Sequence, residues 1–264
     1  MARIGVAATA PFGADVLERL AAAHEHDIAF LLTRPDKPAG RGRRTSPPPA
    51  KVVADRLGIP VLQPDRPEIE DADIVVVAAY GLLIPNALLE RALWLNVHPS
   101  LLPRWRGAAP VERSIMAGDE TTGVTIHRTV EQLDAGPIAA QASFLVEDDD
   151  DAGAVYTRAA ELAADLLTGV LLEEAPRFRA QSEDGVTYAE KIGPADRELD
   201  LADPAQAVRV VRALSPHIGA HAKLHGRDVL VWRAREENGE FIPVEVQPAG
   251  KQRMKYEDFV RGLR

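Results

Sequence analysis

The chain contains no cysteine, which removes disulfides, thiolate metal sites and a thiol nucleophile from consideration and leaves the redox compartment undetermined. It has no long hydrophobic run at its start. Met1-Ala2-Arg3-Ile4-Gly5-Val6-Ala7-Ala8 meets a polar loop too early for a signal peptide or a membrane span, so the cytoplasm is expected and no membrane partner is. The turn after that first apolar run, Thr9-Ala10-Pro11-Phe12-Gly13, lacks the spaced glycines of a dinucleotide-binding loop. His24, His26, His127, His217, His221 and His225 find no partners at ligand spacing. His217, His221 and His225 do fall four apart, but Pro216, Gly219 and Gly226 interrupt any helix that would stack them, and no metal is expected. Lysine is scarce as well, 6 against 25 arginines, a bias that decides little. No internal repeat stands out.

What is there is the composition of an ordinary globular protein, 46% hydrophobic and 27% charged. The 264 residues suffice for one large core or two smaller domains. Residues 4–8, 28–32, 74–78 and 94–97 are short apolar runs suited to central parallel strands, with helical spacing at 14–23 and 50–57 between them. Residues 124–129 and 138–146 alternate like antiparallel strands, and 152–173 reads as one long helix. This alternation predicts an α/β fold with an open, mostly parallel Rossmann-like sheet over residues 1–176. A polar linker follows at 177–185. Residues 186–264 read as a smaller β-rich domain with a helix at 204–214 and strands at 229–232 and 241–246.

The net charge of −9 argues against a nucleic-acid partner, but the charge is unevenly placed. Residues 34–56 hold seven basic residues and two acids, a local +5, whereas Glu147-Asp148-Asp149-Asp150-Asp151 is a run of five acids. The stretch 34–49 is also rich in proline and glycine and reads as a mobile loop. Such a loop permits RNA binding without requiring it.

Chemistry gathers around residues 94–98. A strand ending at Pro99 would place Asn96 and His98, two apart, on one face of a cleft. Asp134, before Ala135-Gly136, adds a carboxylate. Taken singly, each has an ordinary structural role as a turn or core residue. Together they supply an amide donor, an imidazole and a carboxylate, the parts for acyl transfer without a covalent intermediate.

Asn96-Val97-His98, Ser100-Leu101-Leu102-Pro103-Arg104-Trp105-Arg106-Gly107-Ala108-Ala109-Pro110 and Leu133-Asp134-Ala135-Gly136 resemble the signature of the folate-dependent formyltransferases, and in particular the branch that acts on methionyl-tRNA. Tyr188-Ala189-Glu190-Lys191-Ile192 and Val246-Gln247-Pro248-Ala249-Gly250-Lys251 carry the likeness into the C-terminal part. The resemblance implies that Asn96, His98 and Asp134 are the catalytic trio and that 10-formyltetrahydrofolate is the co-substrate, with no metal. It implies folate contacts at Ser100, Leu101, Leu102 and Pro103 and at Tyr80, Gly81, Leu82 and Leu83. It also implies tRNA contacts at Arg41, Arg43 and Arg44, in a loop that approaches the acceptor stem of methionyl initiator tRNA. The C-terminal domain is expected to be an OB-type β-barrel, abridged between Trp232 and Gln247, and the protein a monomer. Amino-sugar and glycinamide-ribotide formyltransferases and formyltetrahydrofolate hydrolase share the trio, but the basic loop and second domain weigh against them. An RNA-binding relative without catalysis is the alternative of another class, and the intact trio weighs against it.

Overall fold

The structure, a computed structural model, describes residues 2–23, 27–39 and 44–263, with only the backbone at 38, 39 and 44. The chain forms two compact units. The first comprises Met1–Arg106, Gly123–Ser143 and Thr157–Thr187, and the second Gly107–Thr122, Phe144–Tyr156 and Tyr188–Arg264. The last changeover, at 187–188, lies near the boundaries read from sequence. The two earlier excursions, 107–122 and 144–156, were not read as separate from sequence, although the second carries the five-acid run 147–151.

The chain begins with β1 (Ile4–Ala8), α1 (Pro11–Ala22), β2 (Ile28–Leu32), the short β3 (Lys37–Ala39) and β4 (Arg44–Ser46), and α2 (Pro49–Leu57). Next come β5 (Val61–Leu62), β6 (Ile74–Ala78), α3 (Asn86–Leu89), β7 (Leu93–His98) and the two-residue β8 (Arg106–Gly107). After α4 (Pro110–Ala117) follow β9 (Thr121–Arg128), β10 (Ile138–Leu145) and α5 (Ala152–Leu172). One seven-stranded sheet runs in the order β10-β9-β7-β6-β1-β2-β5. Its pairs from β7 to β5 are parallel and β9 runs antiparallel to β7. β1 and β6 are buried along their whole length, because central parallel strands are covered on both faces. Their alternate residues, with those of β2 and β7, build one packed layer: Ala7, Phe30, Leu32, Val75, Val77 and Trp94. Proline at the first turn starts α1 and α2, and Gly58, at φ 72°, ends α2. Strand order turns around between β1 and β6, which opens a crevice at the carboxyl ends of the parallel strands. His98 is the last residue of β7 and stands at that edge.

On either side of residues 40–43, which lie outside the described residues, β3 and β4 pair antiparallel. The base of this pair is tied by Lys51, whose Nζ reaches Asp36 (3.0 Å) and Gln63 (2.8 Å), while Gln63 Nε2 donates to Asp36 Oδ1 and to Arg34 O.

The second unit carries β11 (Tyr188–Ala189), α6 (Pro204–Leu214), β12 (Ala220–Leu224), β13 (Arg227–Glu237), β14 (Glu240–Pro248), β15 (Met254–Lys255) and α7 (Tyr256–Arg261). Asp203 caps α6 by accepting from Gln206 N. Ala207, Val210, Val211 and Leu214 recur at helical spacing, and the last three pack on Val229, Val231 and Val246 of the sheet. Truncating Leu214, which is fully buried, would cost about 2–5 kcal/mol. The sheet is a four-stranded antiparallel meander in the order β12-β13-β14-β15, the abridged form expected of this domain. β13 and β14 run further than their apolar cores indicated. They meet at Asn238-Gly239, both at positive φ as a two-residue hairpin turn requires. Among the described residues no helix is long and apolar enough to cross a membrane.

Candidate active site

Asn96 and His98 share a face of β7, and the antiparallel register sets His127 of β9 opposite Asn96 and Thr125 opposite His98. Directly opposed residues in a sheet project to the same side, so the two imidazoles and the amide converge. Asp134 comes from the loop between β9 and β10, in the left-handed region at φ 46°. Two residues on, a Cβ at Gly136 would lie 1.7 Å from Arg128 O, so only glycine lets this turn close onto the end of β9.

The carboxylate is the hub. Asn96 Nδ2 donates to Asp134 Oδ1 at 3.2 Å and lies 3.0 Å from His127 Nε2. His127 Nε2 stands 3.6 Å from the same carboxylate oxygen, and His98 Nδ1 stands 3.7 Å from Oδ2. All three ionisable side chains are buried, none more than 12% exposed. The protonation pattern follows from the partners. An amide oxygen turned toward Asp134 would be repelled, so Asn96 presents its nitrogen. His127 Nδ1 donates to Arg128 O (3.1 Å), which leaves Nε2 to accept from Asn96. His98 Nε2 donates to Trp105 O (2.7 Å), which leaves Nδ1 unprotonated and facing Asp134. Burial pulls the His98 pKa below its usual 6.5. Asp134 opposes that and His127 adds to it. The site therefore holds a buried imidazole whose Nδ1 faces a carboxylate oxygen 3.7 Å away, too far for a direct hydrogen bond.

Ser100 to Arg106 build the second wall. Ser100 is fully buried, and its hydroxyl donates to Arg104 O (2.7 Å). Thr125 Oγ1 donates to Ser100 O and accepts from Leu102 N, while Gln141 Nε2 donates to Leu102 O. Leu102 is buried, and Leu101 and Pro103 are half-buried. The Ser100 hydroxyl thus works within the loop, which aims Trp105 O at His98. Tyr80 is buried in the layer with Trp94 and Leu88, whereas Gly81, Leu82 and Leu83 lie exposed. Arg41 and Arg43 lie outside the described residues. Arg44 opens β4, and only its backbone is described.

The formyl transferase family matches residues 2–171. The chain is 43% identical to a methionyl-tRNA formyltransferase of Halorhodospira halophila, over 89% of its own length and 80% of that protein. It belongs to the methionyl-tRNA formyltransferase family. Among solved structures the methionyl-tRNA formyltransferase of Clostridium thermocellum superposes with a TM-score of 0.68 at 16% identity, covering 97% of this chain and all of that one. HypX from Aquifex aeolicus, in complex with tetrahydrofolic acid, superposes at 0.67 and 19% identity; the alignment covers 98% of this chain and 47% of that longer protein.

In this family member two site features escaped the sequence reading. The first is His127, passed over for want of a metal-ligand spacing although its partner is an amide across the sheet. Its signal was its place in an alternating strand beside Thr125. The second is a hollow of about 390 Å³ at the amino end of β7, beside Trp94 and Thr129. Leu89, Trp94, Val130 and Pro137 give it apolar walls, and Asn86, Glu90 and Glu131 a polar edge. The Thr129 hydroxyl lies buried beside it without a hydrogen-bond partner.

Proposed function

We propose that the protein transfers a formyl group from 10-formyltetrahydrofolate to the α-amino group of methionyl initiator tRNA. The observation that carries this reading is the Asp134 carboxylate held between Asn96, His127 and His98 at the end of β7, in a chain 43% identical to a methionyl-tRNA formyltransferase. When bound, the folate supplies a formyl carbon on a nitrogen leaving group, and its contacts are assigned to Tyr80, Gly81, Leu82 and Leu83 and to Ser100, Leu101, Leu102 and Pro103. The Asn96 hydrogen now shared with Asp134 turns to the formyl oxygen, where negative charge grows. His98 Nδ1, neutral and unprotonated, accepts the proton released by the incoming amine. Asp134 stabilises the imidazolium, and His98 returns the proton to the departing nitrogen as its bond to the formyl carbon breaks.

Arg41, Arg43 and Arg44, with residues 186–264, are assigned the tRNA. The local +5 charge of residues 34–56 in an acidic chain supports that assignment. Replacing the three arginines with alanine should raise KM for the charged tRNA about 10-fold and make binding less salt-dependent. Normal formylation by that variant at both low and moderate salt would remove the loop from the reading. One copy holds the whole trio, so a monomer suffices, and sedimentation of the protein alone tests this. Cytoplasmic residence follows, because initiator tRNA is charged and used there.

The deciding experiment measures formyl transfer from 10-formyltetrahydrofolate to methionyl initiator tRNA, with free methionine and a nucleotide amino sugar as controls. Transfer to the tRNA alone is expected. Transfer to the sugar in preference would overturn the substrate.

A further inference from the structure

Asp134 acts from the turn between β9 and β10, which Arg128 N closes by donating to Pro137 O (2.9 Å). The Asp134 carbonyl and that of Gly136 both accept from one side-chain nitrogen, Gln181 Nε2, at 2.7 and 2.8 Å. The other end of the same amide accepts two hydrogen bonds from Arg106, from Nε at 3.1 Å and Nη2 at 2.7 Å. A guanidinium can only donate, so Arg106 fixes which way the Gln181 amide points and thereby aims its nitrogen at the turn. Arg106 is buried at 7% exposure and belongs to the loop that aims Trp105 O at His98. Its own backbone N donates to Thr187 O, and Trp105 N donates to Thr187 Oγ1. Arg179 exchanges both backbone hydrogen bonds with Ile138 (2.8 and 2.9 Å), just after the turn, and its guanidinium donates to Gln141. The stretch 177–185, which reads in sequence as a polar linker, is therefore bonded to both loops that frame the trio.

We propose that Gln181 is a positioning residue, held by Arg106, that sets the Asp134 carboxylate against His98 and Asn96. The inference rests on the catalytic reading of Asp134 given above. Gln181 touches no reacting atom and acts through the turn it grips.

Two variants separate this role from that of a fold staple. Gln181→Ala removes both ends of the amide. Gln181→Glu keeps the acceptor for Arg106 and strengthens that contact, but it loses the donor and sets a carboxylate against two carbonyls. The first readout needs no ligand: the titration of His98, followed by NMR on the full chain. Asp134 raises the His98 pKa, so a displaced carboxylate must lower it. Gln181→Ala should therefore titrate below wild type while keeping the wild-type fold by circular dichroism. The second readout is kinetic. The kcat for methionyl-tRNA should fall roughly 10- to 100-fold with KM within about twofold. Adding Gln181→Glu to Asp134→Asn should cost less than about twofold more, because the group being positioned is already gone. An unchanged His98 titration in Gln181→Ala, or a full additional loss in the double variant, would overturn the proposal. Full activity in Asp134→Asn alone would instead overturn the catalytic reading on which it rests.

Discussion

The two units handle polar groups in opposite ways. In the second, they close in pairs. Tyr156 donates to Glu112 at 3.0 Å, Arg113 grips Asp196 with two bonds of 2.7 and 2.9 Å, and Ser215 donates to Trp232 O at 2.7 Å. In the first, one carboxylate serves three neighbours, and two of its contacts, at 3.6 and 3.7 Å, stop short of a direct hydrogen bond. A closed pair has nothing left to offer a substrate. A shared carboxylate with open distances can exchange partners and move a proton. The contrast teaches where to look for chemistry in this fold: at polar clusters in which one group is shared among several partners.

The contrast breaks most visibly in the first unit. Asn96→Ala should lower kcat by ~100-fold or more, the usual cost of one oxyanion donor, while thermal melting barely moves. Near-wild-type turnover would remove Asn96 from the mechanism. His127→Ala should cost less, about 10-fold in kcat with KM little changed, since it orients Asn96 and does not meet the substrate. An equal loss in both variants would make His127 a direct participant.

The pH profile sharpens the same point. Neutral His98 is the working form and burial holds its pKa below 6.5, so kcat should rise with pH through an inflection below that value. In Asp134→Asn the residual rate should show the inflection lower still, because the carboxylate that favours the imidazolium is gone. An inflection moving upward would contradict the geometry.

In the second unit stability should change and turnover should not. Tyr156→Phe leaves the Glu112 carboxyl short of a donor and should cost about 1–3 kcal/mol in urea unfolding, with kcat unchanged. Burial raises the Glu112 pKa above its usual 4.5, so the folded state binds this proton more tightly than the unfolded one. Its contribution is fully present below about pH 4.5 and is lost as pH rises through the raised value, and Glu112→Gln should flatten that part of the stability profile. The same slope in both proteins would assign it to another group.

Much of this was legible in the sequence. Apolar runs such as 4–8 and 74–78 mark buried parallel strands because such strands need apolar side chains on both faces. The two-residue spacing of Asn96 and His98 already places them together. Register across the sheet is not local information, so His127 had no visible partner. Nor is the use of a polar stretch to grip a distant turn, which is why Gln181 read as linker. The hairpin turn at Asn238-Gly239 was written in plain residue types and marks where β13 and β14 extend beyond their apolar cores.

The central claim is that Asp134 organises formyl transfer and contributes little to the fold. The most direct test compares initial rates of formyl transfer to methionyl initiator tRNA by the wild-type protein and by Asp134→Asn, with melting temperatures recorded on the same samples. The account predicts active wild-type protein and a loss of ~100-fold or more in the variant, with nearly equal melting temperatures. Full activity in Asp134→Asn, or a loss of rate matched by a collapse in melting temperature, would contradict it.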